Sequence, residues 1–296
     1  MKKALRVQGL TFCVLSAVTS LGVLLLPPLT DRVELALISG LILTLGVPHG
    51  ALDTIFARQV YRLRSPVSWL LAALLYTVLA ALVVGIWWLS PTVFLCGFLL
   101  VSIGHFSGDP EPGVSMFTRV MYAGAVIVLP CLRYEADVAR QFGFLAGSGS
   151  GVALAAALSA LAWPWLAGSL GAAVSELRHN TRASVELLAV VLLAVFAPPL
   201  VGFAVFFCGM HSARHVIRTY HYANSSSIRL LISAALLPML LVVVAAVVGW
   251  LFLDHRSPSR AVSQFLFVGL AALTVPHMLL VERVRLSGWR LGTSAV

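Results

Sequence analysis

Charge is scarce in this sequence. Only 10% of its 296 residues are Asp, Glu, Lys or Arg, against roughly a quarter in a soluble domain, and the shortage excludes an ordinary water-soluble fold. Acids are scarcest, 11 against 20 basic residues. The basic residues stand singly at the ends of apolar runs, with no cluster interleaved by exposed aromatics. The formal charge of +9 therefore speaks for membrane topology and for no nucleic-acid partner. Cysteine is limited to Cys13, Cys96, Cys131 and Cys208, all within or beside apolar runs and none in a Cys-x-x-Cys pair. That spacing excludes a disulfide frame or thiolate metal site and leaves them as packing residues. Also missing are a Ser/His/Asp nucleophilic set, a His-Glu-x-x-His motif and a phosphate-cradling glycine loop, which weighs against a water-activating zinc hydrolase.

Apolar side chains are what the chain has in quantity: 60% of residues are hydrophobic and mean hydropathy is +0.98. A spanning helix takes about 20 apolar residues, so the length accommodates roughly eight to ten with short connections. The expected fold is all-α, a polytopic transmembrane helical bundle forming one integral-membrane domain over residues 1–296. The apolar runs place ten spans at about 8–27, 32–56, 66–89, 91–108, 114–133, 142–168, 183–197, 199–222, 227–253 and 260–284. Lys2, Lys3 and Arg6 followed by Leu10 to Leu26 look like a signal peptide. The run is long and has no small-residue cleavage site before Pro27-Pro28, so it is read as the first helix. The stretch 183–197 is short enough to be re-entrant or tilted.

With the N-terminus cytoplasmic, the inner connections receive Lys2, Lys3, Arg6, Arg58, Arg62, Arg64, Arg119, Arg178, Arg182, Arg214, Arg218, Arg229, Arg283, Arg285 and Arg290. The outer ones keep Arg32, Arg133, Arg140, Arg256 and Arg260. This bias predicts an even number of spans in a cell inner membrane, with both termini cytoplasmic.

The same topology puts five histidines at one depth. His49, His105, His211, His215 and His277 lie on the second, fourth, eighth and tenth spans, each in its inner half. Polar groups at membrane depth are costly, and several converging ones mark a functional site. His211 and His215, four residues apart, share one helix face, which is metal-ligand spacing. A lone intramembrane histidine is more simply a hydrogen-bonding residue; five together favour a shared metal, and imidazole alone does not choose among iron, copper, nickel and zinc. His179, His221 and His255 fall in or beside polar connections and read as solvated.

Carboxylates accompany the motifs: Asp53 follows His49 by four, Asp109 follows His105 by four, and Glu282 follows His277 by five. Each is a candidate to accept the second N–H of a ligating imidazole or to substitute as a ligand. An ordinary wet carboxylate at a helix end is the plain alternative. Gly50 and Gly108 would permit close helix approach, and Pro48 and Pro276 would bend their helices just before a histidine. A slot between helices for an apolar substrate would be lined by Phe106, Phe206, Phe207, Met210, Trp87 and Trp88, though each alone reads as packing.

Through Val47-Pro48-His49-Gly50-Ala51-Leu52-Asp53, Gly104-His105-Phe106-Ser107-Gly108-Asp109, His211-Ser212-Ala213-Arg214-His215 and Pro276-His277-Met278-Leu279-Leu280-Val281-Glu282, the chain resembles the Brp/Blh family. These are membrane β-carotene 15,15'-dioxygenases found beside microbial rhodopsins. The resemblance runs over most of the length, with the motifs in order. It implies a non-haem Fe(2+) enzyme that uses O2 to split the central double bond of β-carotene into two all-trans-retinal molecules. It also implies iron ligation by His49, His105, His211 and His215, a site-lining or substituting role for His277, and a link to a rhodopsin in the same lipid bilayer. Two other readings of the same residues are a b-type cytochrome with axial histidines and a transporter with an intramembrane His/Asp pathway. A di-iron desaturase would call for adjacent His-His pairs, which the chain does not have.

Overall fold

The computed structural model describes residues 1–27, 30–223, 228–252 and 257–286. His255, Arg256 and Arg290 lie outside the described residues. Within them every regular element is helical. The first rod is α1 (Lys2–Leu25). A broken rod follows: α2 (Asp31–Leu41), a π-helical turn (Ile42–Gly46), α3 (Pro48–Ala51) and α4 (Asp53–Val60). Then come α5 (Pro66–Leu89), α6 (Pro91–Phe106), α7 (Met116–Val128), α8 (Cys131–Ala146), α9 (Ser148–Leu177) and α10 (Thr181–Phe196). The next rod joins α11 (Pro199–Val205), a second π-helical segment (Phe206–Ser212) and α12 (Ala213–Tyr222), and the chain continues through α13 (Ile228–Phe252) and α14 (Pro258–Leu286).

Local chemistry sets these boundaries. Ser65 and Ser68 form a reciprocal capping box ahead of Pro66, which satisfies N–H groups that the first helical turn leaves open. Ser115 caps the amide of Thr118 and Asn180 that of Ala183. Pro91 and Pro199 each occupy a first helical turn, where their missing N–H costs nothing.

Among the described residues, seven rods are long and apolar enough to cross a membrane, or eight if α7 and α8 count as one span broken by 63°. With α6, an apolar helix of 16 residues, this is the all-α polytopic bundle expected. The expected boundaries shift most around residue 134. Residues 134–141, expected as a connection, lie inside α8. That helix turns Glu135, Asp137 and Arg140 toward the outside while burying Val138 and Leu145. The fifth expected span breaks after Val128, at Pro130, and α9 runs on to Leu177 through Pro164.

Gly147, with φ +89°, reverses the chain between α8 and α9 in a conformation that suits glycine. At Gly151 a side-chain carbon would stand 2.5 Å from Ala139 O and from Gly143 N, so these helices pack backbone against backbone. Gly151→Val should cost about 1–3 kcal/mol by overpacking and lower the melting temperature in detergent; an unchanged melt would contradict that packing.

The core is asymmetric. Phe12, Phe106, Tyr122, Leu187, Phe206 and Met210 bury together where α1, α6, α7, α10 and the second π segment meet. By contrast α5 buries no residue, and Leu236, Leu237, Leu240 and Leu241 of α13 stay exposed. Apolar faces of this extent belong in lipid. The protein is a multi-pass membrane protein.

Candidate metal centre

Pro48 shapes the first wall of the site. Its ring has no N–H and would clash with the carbonyl four residues back; the helix widens instead, with the Val47 amide bonding Ile42 O at 2.8 Å. The Gly50 amide then bonds Val47 O rather than Gly46 O, and Gly46 O receives the His49 ring, Nδ1 at 2.5 Å. A carbonyl only accepts, so His49 Nδ1 carries the hydrogen and Nε2 is left as a bare lone pair. His211 lies within the second π segment, and single π turns inside helices recur at functional sites. Pro276 sits inside α14, which continues through it to Leu286.

All five histidines converge, each nearly fully buried. Ring centroids lie 5.0 Å apart for His49 and His211, 5.4 Å for His49 and His215, and 5.1 Å for His49 and His277. His105 stands 4.6 Å from His211 and 5.2 Å from His277, and His215 lies 5.1 Å from His277. Ligand atoms of His49, His105 and His277 all fall within 4.8 Å of one another. Two imidazoles facing each other across one ion sit about 4 Å apart, given metal–nitrogen bonds of about 2.0–2.1 Å. His277, expected as an accessory residue, thus belongs to the tightest trio.

Two carboxylates orient the rings, each serving the histidine of another rod and not that of its own motif. Asp109 accepts from His211 Nδ1, at 3.0 and 3.1 Å to its two oxygens. Asp53 accepts from His277 Nδ1 at 2.7 Å. The i+4 spacing fails because the helix is interrupted between each pair, at Leu52 (ψ −3°) and after Phe106. Tyr76 OH binds the second oxygen of Asp53 at 3.2 Å. His211 Nε2 and His277 Nε2 are buried and meet no hydrogen-bond partner. Buried polar atoms are nearly always satisfied. Lone pairs orphaned at the centre of an imidazole cluster, with the opposite nitrogens held by carboxylates, fit the donor set of a metal ion. They fit haem poorly: imidazoles in edge contact leave no slot for a macrocycle between them.

Glu282 takes no part; it pairs with Arg285 at 2.7 Å and is partly exposed. Gly50 faces open space, and the close neighbour of Gly108 is the Arg285 side chain. His179 is exposed, and His221 bonds back to Ile217 O at 2.8 Å.

Sequence reasoning missed a buried ionic scaffold beneath the site. Arg214, counted above among inner-loop charges, is 1% exposed. Its guanidinium grips Glu186 in two bonds of 3.0 and 2.8 Å, Gln8 Oε1 at 3.0 Å and Asp109 O at 3.1 Å. Arg218 reaches Gly108 O and Asp109 O, and Arg119 reaches Ser107 O and Glu111 O. The turn that carries Asp109 is therefore clamped by three arginines. Glu186 pairs also with Arg182, which meets Glu111 as well. A glutamate within the apolar run 183–197 was the available signal.

Beside the cluster lies a cavity of about 1650 Å³, walled by α4, α5, α13 and α14 and reaching His49, Asp53, Tyr76, Phe207 and His277. It exceeds the roughly 300–1,000 Å³ of a drug-sized site, and its walls on α5 and α13 belong to the helices most exposed to lipid. Of the expected pocket residues, Phe207 lines this cavity and Phe106 a smaller one of about 20 Å³. Phe206 and Met210, both 0% exposed, are core packing and line neither. The rings of Phe206 face Phe12, Phe106 and Tyr122 instead. Trp87 bonds Leu145 O at 2.9 Å within a separate cluster, and Trp88 is 79% exposed.

The model of a family described as beta-carotene 15,15'-dioxygenase matches residues 40–284, a span that includes all five histidines. A relative described as beta-carotene 15,15'-dioxygenase, from uncultured marine bacterium 66A03, is 32% identical over 258 residues, covering 82% of this chain and 90% of its own. No solved structure matches.

Proposed function

Because the chain belongs to the β-carotene 15,15'-dioxygenase family, we propose that it binds iron(II) at the histidine cluster and cleaves β-carotene with O2 at the central 15,15' double bond. One carbon–carbon double bond is broken, two carbonyls form, and the two oxygen atoms of O2 end in two all-trans-retinal molecules. The observation that carries this reading is the adjacency of buried, lone-pair-bearing imidazoles to a large, mainly apolar cavity flanked by lipid-facing helices. His49, His105, His211 and His215 would hold the ion, with His277 on equal geometric terms. When bound, iron supplies the redox chemistry that dioxygen needs to react with a closed-shell polyene.

The chain's own residues do the rest. Gly46 O, Asp109 and Asp53 fix which nitrogen of His49, His211 and His277 stays free of hydrogen. The cavity wall from Leu230 through Leu241 on α13 and from Trp69 through Thr77 on α5 admits a bilayer-dissolved substrate sideways. A polyene has no proton to surrender, so no general base is required. The internal double bonds are chemically alike, so where the cavity stops the chain decides which one meets the metal. Retinal released into the bilayer would pass to a rhodopsin in the same membrane. For the inner membrane and cytoplasmic termini, the bias of positive charge remains even when the buried Arg214 and the half-buried Arg218 are set aside as structural.

Purified protein given β-carotene should consume one O2 per carotene and yield retinal alone by chromatography. Aldehydes of unequal length would defeat central cleavage. Asp109→Asn and Asp53→Asn, which weaken the hold on His211 and His277, should each lower metal affinity about 10–100-fold in a chelator competition, and undiminished affinity would remove their orienting role.

A further inference from the structure

Two cavities of very different size meet the histidine cluster from different sides. The large one touches His277 and Asp53; the small one, about 20 Å³, touches His105 and Ser102. His49, Phe207, Leu270 and Thr274 line both and form the partition between them. Building on the proposed reaction, we propose that the small cavity is the docking pocket for dioxygen, separate from the channel that takes the polyene.

Size argues for it. A space of this volume accepts one small molecule and no fragment of a carotenoid. Phe98, Phe106, Phe203 and Phe207 line it together with His49, Ser102, His105, Leu270 and Thr274. A diatomic resting there lies against the imidazoles of His49 and His105. Separate pockets also explain how two apolar substrates of unlike size reach one centre without competing for one volume.

The test uses xenon as the probe and the intact protein. Crystals of the wild type under xenon pressure should show an anomalous peak between Phe98, Ser102 and His105. Ser102→Leu, which fills the pocket from α6, should lose that peak and raise the KM for O2 at least several-fold, with the KM for β-carotene and the metal content unchanged. Phe98→Trp fills the same space from a different residue and covers the case in which the first variant does not fold. Normal β-carotene cleavage with no xenon peak in the wild type overturns the pocket and leaves the function standing. So does an unmoved KM for O2 in a variant that has lost the peak. A chain that takes up xenon there yet consumes no O2 when given β-carotene overturns both the function and the assignment of the pocket to dioxygen.

Discussion

Replacing His211 or His215 by alanine should abolish retinal formation while leaving a folded, membrane-inserted protein. Both side chains sit at the centre of the cluster, His211 against His49, His105 and Phe106, His215 against His49 and His277. Removal of either imidazole subtracts a donor and opens a gap that water can enter. The expected loss is total within the sensitivity of chromatography on extracts of carotene-producing cells, because the ligand set would no longer fix a reactive ion. His277→Ala should cost as much, since its ligand atom shares the tightest trio with His49 and His105. A histidine serving only as a packing residue would lower yield in proportion to the amount of folded protein, so expression is measured alongside. Normal retinal yield from His211→Ala or His215→Ala would remove that residue from the ligand set.

The second large effect concerns stability. Arg214→Leu leaves Glu186 buried without its bidentate partner, and breaking a buried pair from one side costs about 3–5 kcal/mol. That is a large part of the margin of a typical fold, so the variant should melt far below the wild type or fail to accumulate. Arg214→Lys should do little better. An ammonium cannot reproduce the planar fork that reaches Glu186, Gln8 and Asp109 O together. The paired change Arg214→Met with Glu186→Met, which removes both charges, should recover much of the melting temperature, as replacing buried ion pairs by apolar residues often does. It should not recover full metal affinity, because one of the three arginines that clamp the Asp109 turn is gone. A melt of Arg214→Lys indistinguishable from wild type would show that the network contributes little.

Much of this was legible in the sequence because the bilayer permits few solutions. Apolar runs of spanning length have to be helices, and polar groups within them stand out against a background of leucine and valine. Hence the five histidines and the pairing of acids with histidines could be read from letters. Which acid serves which histidine could not. Asp53 and Asp109 lie beyond helix interruptions, and the partner each finds is set by packing between rods distant in sequence, 224 and 102 residues away. The widened turn before Pro48 was equally hidden, since Pro48 announces a bend without saying that Gly46 O would be released to His49. Arg214 was misplaced for a specific reason: counting positive charges by connection treats every arginine at a helix end as solvated. A guanidinium that meets a glutamate on another rod looks the same in sequence as one facing water. Residues 134–141 within α8 were read as a connection because the charged face of that helix dilutes the hydropathy of its buried one.

Imidazoles from four separate rods around one ion are the centre of the proposal, and X-ray absorption at the iron edge tests it most directly. Protein purified with its metal should contain about one iron per chain, show scattering from several imidazole rings and no haem Soret band, and lose part of that imidazole signal in His277→Ala. A metal-free wild-type chain that still converts β-carotene to retinal, or iron bound with no imidazole scattering, would contradict it.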